Sequence, residues 1–551
     1  MNDDASGIAN IAGTADVPAT TESSRKATRL TRSRRALALP LGMVVASAVA
    51  FLPGSASARP AAIPDAPASA PSGSDAGSDA GSDAGSQAAS MSYVVNVRPG
   101  KGTSARVQRA VAKAGGDVVI AYDRIGVIVV HSADPDFAKT IRAVRGVDSA
   151  GATRTAPLSA QSDNALGAER TLTAAEAKAA AGKATAGQDE LEPLQWDLPA
   201  MKADKAHGIS LGSRDVTVAV LDSGVDDTHP DIAPNFDRRA SASCLGGVPV
   251  QKDDAWRPVA KESDHGMHVA GSIAAAKNGT GITGVAPGVK VASLKVAEPA
   301  TGMYYTEAVV CGFVWAADHG VDVTNNSYYT DPWLFHCKTD ADQKALVDAV
   351  GRAARYAERK GVVNVAAAGN AKTDLAQEEI LDKTSPNDTT PVPRTVRTED
   401  CLDLPSQLPG VVTVSATGAK GIKASYSNYG KGVIDITAPG GDRTEYQAPR
   451  PPAVDGRILS TLPGGRFGYK GGTSMASPHA AGVVALLKST HPYASVERIK
   501  SLLYRQADAM PCTAPYDYNG DGTVDAVCEG GPDRNGFYGA GMADALDAVR
   551  K

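Results

Sequence analysis

Val216-Thr217-Val218-Ala219-Val220-Leu221-Asp222-Ser223-Gly224 decides how this chain is read. A continuous run of β-favouring residues ends abruptly at a carboxylate, a serine and a glycine. In an open parallel sheet, functional groups collect at the carboxyl ends of strands, and Asp222 stands where such a group belongs. A strand-ending aspartate is equally a turn former, and taken singly that plainer reading prevails. Further strands are visible at Val291–Val296, Val411–Ala416 and Val433–Thr437. They share that run's β-rich texture.

Two other strings carry chemistry. Asp264-His265-Gly266-Met267-His268-Val269-Ala270-Gly271 runs into an Ala-rich apolar helix. A histidine at a helix start beside glycine can project its ring into a cleft, and imidazole is the side chain best matched to moving protons near neutral pH. His265 and His268 lack the HExxH spacing and a cysteine neighbour, which argues against zinc. Gly471-Gly472-Thr473-Ser474-Met475-Ala476-Ser477-Pro478-His479-Ala480-Ala481-Gly482 surrounds Ser474 with small residues and places it at the start of a helix. Backbone N–H groups there favour a developing negative charge, although serine is also an ordinary cap. The order Asp, His, Ser is one of the arrangements of the serine-nucleophile triad, and three coincidences would be needed to explain it otherwise.

From about Trp196 to Val549 the chain resembles the subtilisin family of serine peptidases in its exported zymogen form. The resemblance implies a three-layer α/β sandwich with a central parallel sheet, preceded by an inhibitory propeptide. It makes Ser474 the nucleophile, His265 its general base and Asp222 the group that orients His265. Gly361-Val362-Val363-Asn364-Val365-Ala366-Ala367-Ala368-Gly369-Asn370 matches the strand leading to the oxyanion-hole asparagine, so Asn370 is expected to bind the tetrahedral oxygen with the Ser474 N–H. Val321-Asp322-Val323-Thr324-Asn325-Asn326-Ser327-Tyr328-Tyr329 matches the segment that pairs with extended substrate, which gives Ser327, Tyr328 and Tyr329 as substrate-binding candidates. The family usually has small residues where Tyr328 and Tyr329 stand, and threonine where Met267 stands. The tyrosines either narrow the primary specificity pocket or pack a different loop; Met267 implies retuned packing. The resemblance also implies structural calcium, with Asp231 and Asn278 as side-chain ligands and Ala276, Thr280 and Ile282 as carbonyl ligands. No cofactor is expected for catalysis. Asp517-Tyr518-Asn519-Gly520-Asp521-Gly522-Thr523-Val524-Asp525 is similar to the start of an EF-hand loop, but Cys528 replaces the twelfth-position glutamate, so a turn is an equal reading.

Upstream, residues 1–58 read as a signal peptide: Arg32, Arg34 and Arg35 precede an apolar stretch, Ala36 to Leu52, that closes on Ala56-Ser57-Ala58. Residues 59–91, with the repeat GSDAGSDAGSDAGS, cannot bury a core and read as a flexible linker. Residues 92–158 alternate strand, helix, strand, strand, helix, strand, a ferredoxin-like α+β order, with Asp134-Pro135 opening the second helix. Residues 159–190 are an Ala-rich arm with little to pack, and 191–551 form the peptidase domain. The chain of 551 residues is 42% apolar and 21% charged, which excludes disorder throughout. A net charge of −5 supports neither nucleic-acid nor anionic-membrane binding. Six cysteines suit three bridges in an oxidising compartment; Cys512–Cys528 closes the DG-rich loop, Cys337–Cys401 joins two surface loops, and Cys244–Cys311 remains, out of fifteen pairings. The expected protein is a secreted, extracellular, monomeric endopeptidase acting on peptides or proteins, inhibited by its own propeptide and free of the membrane once the signal is removed. Two other readings stay open: a dedicated leader-peptide maturation protease, and a catalytically inactive peptide-binding pseudoprotease.

Overall fold

The computed structural model describes residues 90–158, 170–259, 263–512 and 516–550. The signal segment, nearly all of the linker and the first part of the arm lie outside the described residues.

The first domain runs β1 (Met91–Val97), α1 (Lys101–Lys113), β2 (Gly116–Tyr122), β3 (Val127–Ser132), α2 (Phe137–Arg142) and β4 (Val147–Ala152). Its strands form an antiparallel sheet in the order β2-β3-β1-β4, the ferredoxin-like arrangement. Successive side chains on a strand face opposite ways, and β1 uses both faces. Tyr93, Val95 and Val97 pack with Val107, Val111, Phe137 and Ile141 of the two helices. Val94 turns the other way, into a core shared with the main domain. One boundary differs from the sequence reading. The helix α2 begins at Phe137, and Asp134, expected as its cap, instead accepts from the Asp136 N–H in the turn before it.

The arm is more than a tether where it is described. β5 (Arg170–Thr171) pairs with the main domain at Tyr469 and Gly468. Thr173 and Glu176 form a reciprocal capping box on α3 (Ala174–Ala181). Ala180, Leu191 and Leu194 then join Ala275, Ile282, Leu459 and Tyr469 in one buried cluster. Small alanines suffice because the surface they meet is already large.

The main domain is built on seven parallel strands: β6 (Thr217–Asp222), β7 (Ala242–Ser243), β8 (Lys290–Lys295), β9 (Val323–Asn326), β10 (Val363–Ala367), β11 (Val412–Thr417) and β12 (Ile436–Pro439). Their spatial order is β12-β11-β10-β9-β6-β8-β7. Chain order reverses between β6 and β9, the place where open α/β sheets put their sites. Val218 and Val220 of β6 face a core with α4 (His265–Ala274) and α7 (Thr473–Thr490). Ala219 and Leu221 face the opposite core with α5 (Thr306–Asp318) and α6 (Ala341–Arg359). That two-sided burial explains why the strand reads as a continuous apolar run. The first domain lies on α6: Asn96 Nδ2 donates to the Ala345 carbonyl, and a Cβ on Gly151 would stand 2.4 Å from the Asp342 carbonyl oxygen. The hairpin β13 (Ile458–Leu462) and β14 (Arg466–Lys470) covers the edge near α4. Cys244–Cys311, Cys337–Cys401 and Cys512–Cys528 are bridged, as the cysteine positions suggested. Among the described residues no helix is long and apolar enough to cross a membrane.

Candidate active site

Asp222 is the last residue of β6 and is fully buried. His265 is the first residue of α4, and its Nδ1 lies 2.9 Å from both Asp222 oxygens. The approach depends on two glycines. Gly224 adopts φ 112°, and a Cβ on Gly266 would stand 2.7 Å from the Gly224 carbonyl oxygen and 3.0 Å from the Asp222 Cβ. An ionised carboxylate only accepts, so Nδ1 carries the proton and Nε2 presents a lone pair. Asp222 Oδ1 also accepts from the Ser223 N–H at 2.7 Å and from the Tyr304 hydroxyl at 3.1 Å. Burial, and then the Asp222 charge, hold the Tyr304 phenol protonated, its pKa well above the ordinary tyrosine range. His268 is spent structurally: its Nε2 lies 3.0 Å from the Ile458 carbonyl and 3.2 Å from that of Gly468, and burial keeps its ring neutral. Met267 is buried in the sheet core.

Ser474 is the second residue of α7. Its hydroxyl donates to the Ser327 carbonyl at 3.2 Å, and the Ser327 hydroxyl donates to the Ser474 carbonyl at 2.8 Å. Asn370 Oδ1 accepts from both the Thr473 N–H and the Thr473 hydroxyl at 2.9 Å. A backbone N–H can only donate, so it fixes which end of the amide is oxygen and leaves Nδ2 on the other edge. Thr473 therefore ties the Asn370 loop to the residue before Ser474.

Beyond Ser327 the chain does not flare open. The Tyr328 ring stacks on Tyr304 with centroids 4.5 Å apart and planes within 4°, and its hydroxyl donates to Asn326 Oδ1 at 3.0 Å. Tyr328 thus packs the loop that carries Tyr304. Tyr329 accepts from Asn387 Nδ2 at 2.9 Å, and Asn387 also donates to Asp331 at 2.6 Å. Burial pushes the Asp331 carboxyl up to about 7. Sequence reasoning missed Tyr304; a Tyr-Tyr doublet just before a helix, in a chain with 5% aromatics, was the available signal.

The first domain reaches the loops beside this site. After β4, Arg154 is buried; its Nη2 lies 2.6 Å from Glu307 Oε1 and 3.1 Å from Glu298 Oε1, and its guanidinium sits 3.8 Å from the Tyr305 ring centre. Burial opposes ionisation of Glu307, but Arg154 outweighs it and holds the carboxyl below its usual range. The Thr155 and Ala156 N–H groups donate to Asp388 Oδ2 at 2.7 and 3.1 Å.

The calcium candidates converge. Asp231 Oδ2 accepts from the Ile282 N–H at 2.9 Å, Asp231 Oδ1 lies 3.4 Å from Asn278 Nδ2, and Asn278 Oδ1 accepts from the Thr280 N–H at 3.0 Å. The Ala276 N–H donates to the Asp231 carbonyl at 2.7 Å. Burial, with Asp189 and Glu190 nearby, pushes the Asp231 carboxyl up to about 6. Both groups that reach the Asp231 carboxylate oxygens are nitrogen donors, the Ile282 N–H and Asn278 Nδ2. In the Asp517 loop, Asp517 accepts from the N–H groups of Asn519, Gly520 and Gly522, the pattern of a turn.

A parallel α/β sandwich with a buried aspartate paired to a half-buried histidine, and a helix-starting serine at one end of the sheet, has the architecture of an α/β serine hydrolase. Residues 213–541 match the model of the Subtilase family, and the chain belongs to that family. It is a subtilisin-like serine endopeptidase. Subtilisin Savinase of Lederbergia lenta is 30% identical over 335 residues, 61% of this chain and 98% of that relative. Subtilisin E of Bacillus subtilis (strain 168) is 32% identical over 301 residues, 55% of this chain and 62% of that relative. The fold is also that of the epidermin leader peptide processing serine protease of Staphylococcus aureus, with a TM-score of 0.59 at 21% identity, covering 84% of this chain and 98% of that one. Fervidolysin from Fervidobacterium pennivorans has a TM-score of 0.55 at 23% identity, covering 86% and 62%.

Proposed function

We propose that the chain is a self-processing zymogen whose Ser474 attacks the peptide carbonyl, with His265 taking the hydroxyl proton and returning it to the leaving amine. Asp222 orients His265 and stabilises its charged form. Asn370 Nδ2 and the Ser474 N–H receive the oxyanion of both tetrahedral intermediates, and the acyl-enzyme between them is hydrolysed by water. The observation that carries this reading is the pairing of His265 with buried Asp222, together with a helix-starting serine whose neighbour, Thr473, fixes the Asn370 amide. Its test is labelling with a fluorophosphonate probe, before and after heating. Uptake by native protein at Ser474 supports it; folded, propeptide-free protein that takes up no probe is the pseudoprotease instead.

Residues 92–158 serve as an inhibitory propeptide, removed by cleavage between Leu158 and Leu191 after export directed by residues 1–58. The support is the insertion of Arg154 beside the site loops. Ser474→Ala should leave a full-length precursor once the signal is removed; maturation of that variant in the absence of other proteases would rule out self-processing. Asp231, Asn278 and the carbonyls of Ala276, Thr280 and Ile282 would hold a calcium ion that locks this loop and takes no part in the chemistry. Chelation should then lower the melting temperature of the Ser474→Ala protein, and an unchanged melt would dismiss the ion.

A further inference from the structure

We infer that Asp403 gives this endopeptidase a primary specificity pocket for a basic side chain, arginine or lysine, on the acyl side of the cleaved bond. The inference rests on the reading of Ser474 and Asn370 just given. If Ser474 attacks and Asn370 receives the oxygen, the side chain next to the scissile carbonyl must leave between two segments. One is Ser327 to Thr330, whose Ser327 carbonyl lies 3.2 Å from the Ser474 hydroxyl. The other is Ala368 to Asn370. Asp403 stands where both meet. The Thr330 N–H donates to the carbonyl of Leu404, the next residue, at 2.7 Å. On the other side, a Cβ placed on Gly369 would be 3.8 Å from Asp403 Oδ2. Gly369 has φ 95° and no side chain, and the Asn428 amide packs closest to it, its Nδ2 donating to the Ala368 carbonyl at 2.8 Å.

The state of Asp403 points to a ligand. It is 2% exposed, and its Oδ1 has no hydrogen-bond partner. Three buried carboxylates here have a cation beside them: Asp227 pairs with Arg257, Asp382 with Arg394, Glu307 with Arg154. Asp331, which has no such cation, accepts from the Tyr304 N–H and from Asn387. Burial pushes the Asp403 carboxyl well above its usual range, with only Ser406 acting the other way. An unpaired carboxyl is costly to ionise in such a place, and an entering guanidinium or ammonium supplies the missing counter-charge and donors. A neutral side chain of the same shape brings no counter-charge, even where it keeps N–H donors, so the pocket should discriminate steeply.

The test uses the mature enzyme and peptides identical except at the residue before the scissile bond: arginine, lysine, citrulline, phenylalanine or leucine. Rates are normalised to sites titrated with the fluorophosphonate probe. Arginine should exceed citrulline, its neutral isostere, in kcat/KM by on the order of 100-fold or more, and Asp403→Asn should collapse that ratio to below about tenfold. Equal rates for arginine and citrulline, or a ratio that survives Asp403→Asn, overturn the proposal. Should the variant fail to fold, benzamidine serves with the unaltered enzyme: it should slow probe uptake at Ser474 where benzyl alcohol does not, and no protection overturns the proposal. Probe uptake without arginine preference sinks only the pocket; neither probe uptake nor cleavage of any peptide sinks the catalytic reading and the pocket with it.

Discussion

Tyr304 holds the inner side of the Asp222–His265 pair from a loop far along the chain. Its hydroxyl is one of three donors on the Asp222 carboxylate, and its ring is fixed by stacking on Tyr328. Tyr304→Phe keeps the stack and removes the donor. A hydrogen bond to a charged group is worth about 1.5–3 kcal/mol, and only the orienting share bears on the reaction. We therefore expect kcat to fall roughly tenfold with KM little changed, read from steady-state kinetics beside a thermal melt. A loss of melting temperature with kcat intact would make Tyr304 a packing residue only. Asp222, His265, Ser474 and Asn370 were legible because each sits in a local string whose small neighbours announce it. Tyr304, Thr473 and Asp403 were not, because each acts across a contact between segments distant in sequence, which periodicity and motif cannot register.

Among the elements, strand β6 and helix α4 explain why the site forms at all. The strand ends at the sheet's reversal point, and the bare backbone of Gly224 and Gly266 lets the helix start against it. Both were readable as a strand and a helix start. Their closeness was not, since it follows from the strand order. The stretch after β4 is the other decisive element. Arg154 and Glu307 are 3% and 1% exposed at the side chain, so their pairing is little screened by water. Breaking a buried pair from one side costs about 3–5 kcal/mol, whereas replacing both partners by apolar groups is often neutral. In the Ser474→Ala precursor, Arg154→Gln should lower unfolding stability by about that amount in urea titration, and Arg154→Met combined with Glu307→Leu should recover most of it. Equal losses in the single and double variants would show that shape, not charge, holds the stretch in place.

Across the whole molecule, Lys423 ties the C-terminal region to the sheet. Its ammonium donates to the Ala424 and Ser427 carbonyls and lies 4.9 Å from the Tyr516 ring centre and 5.2 Å from that of Tyr429. Burial is the main influence on it, and pushes its pKa down to about 7, against roughly 10.4 in an unfolded chain. Between those values the unfolded chain binds the extra proton, so stability rises with pH across the window and the contribution is lost as pH falls towards 7. The melting temperature of Ser474→Ala protein should therefore climb from pH 7 to pH 10 more steeply than that of the same protein with Lys423→Met. Parallel curves would mean that Lys423 stays charged in its aromatic surroundings. The strands of the parallel sheet were legible from their β-rich texture and the turn residues that end them. The docking of the arm and of the first domain was not, because alanines and a lone arginine carry no pattern until the surface they meet is known.

If the small domain is the inhibitory propeptide proposed above, Arg154 and Glu307 would make it a private partner where several enzymes of this family share one compartment. A stray domain from a sister enzyme with an uncharged or acidic residue at this place would strand Glu307 without its counter-ion, and a stray copy of this one would bring a cation to a pocket that has no acid to meet it. Cross-inhibition would thereby be discouraged, and a chimera that exchanges the domains between relatives would have to move both residues together.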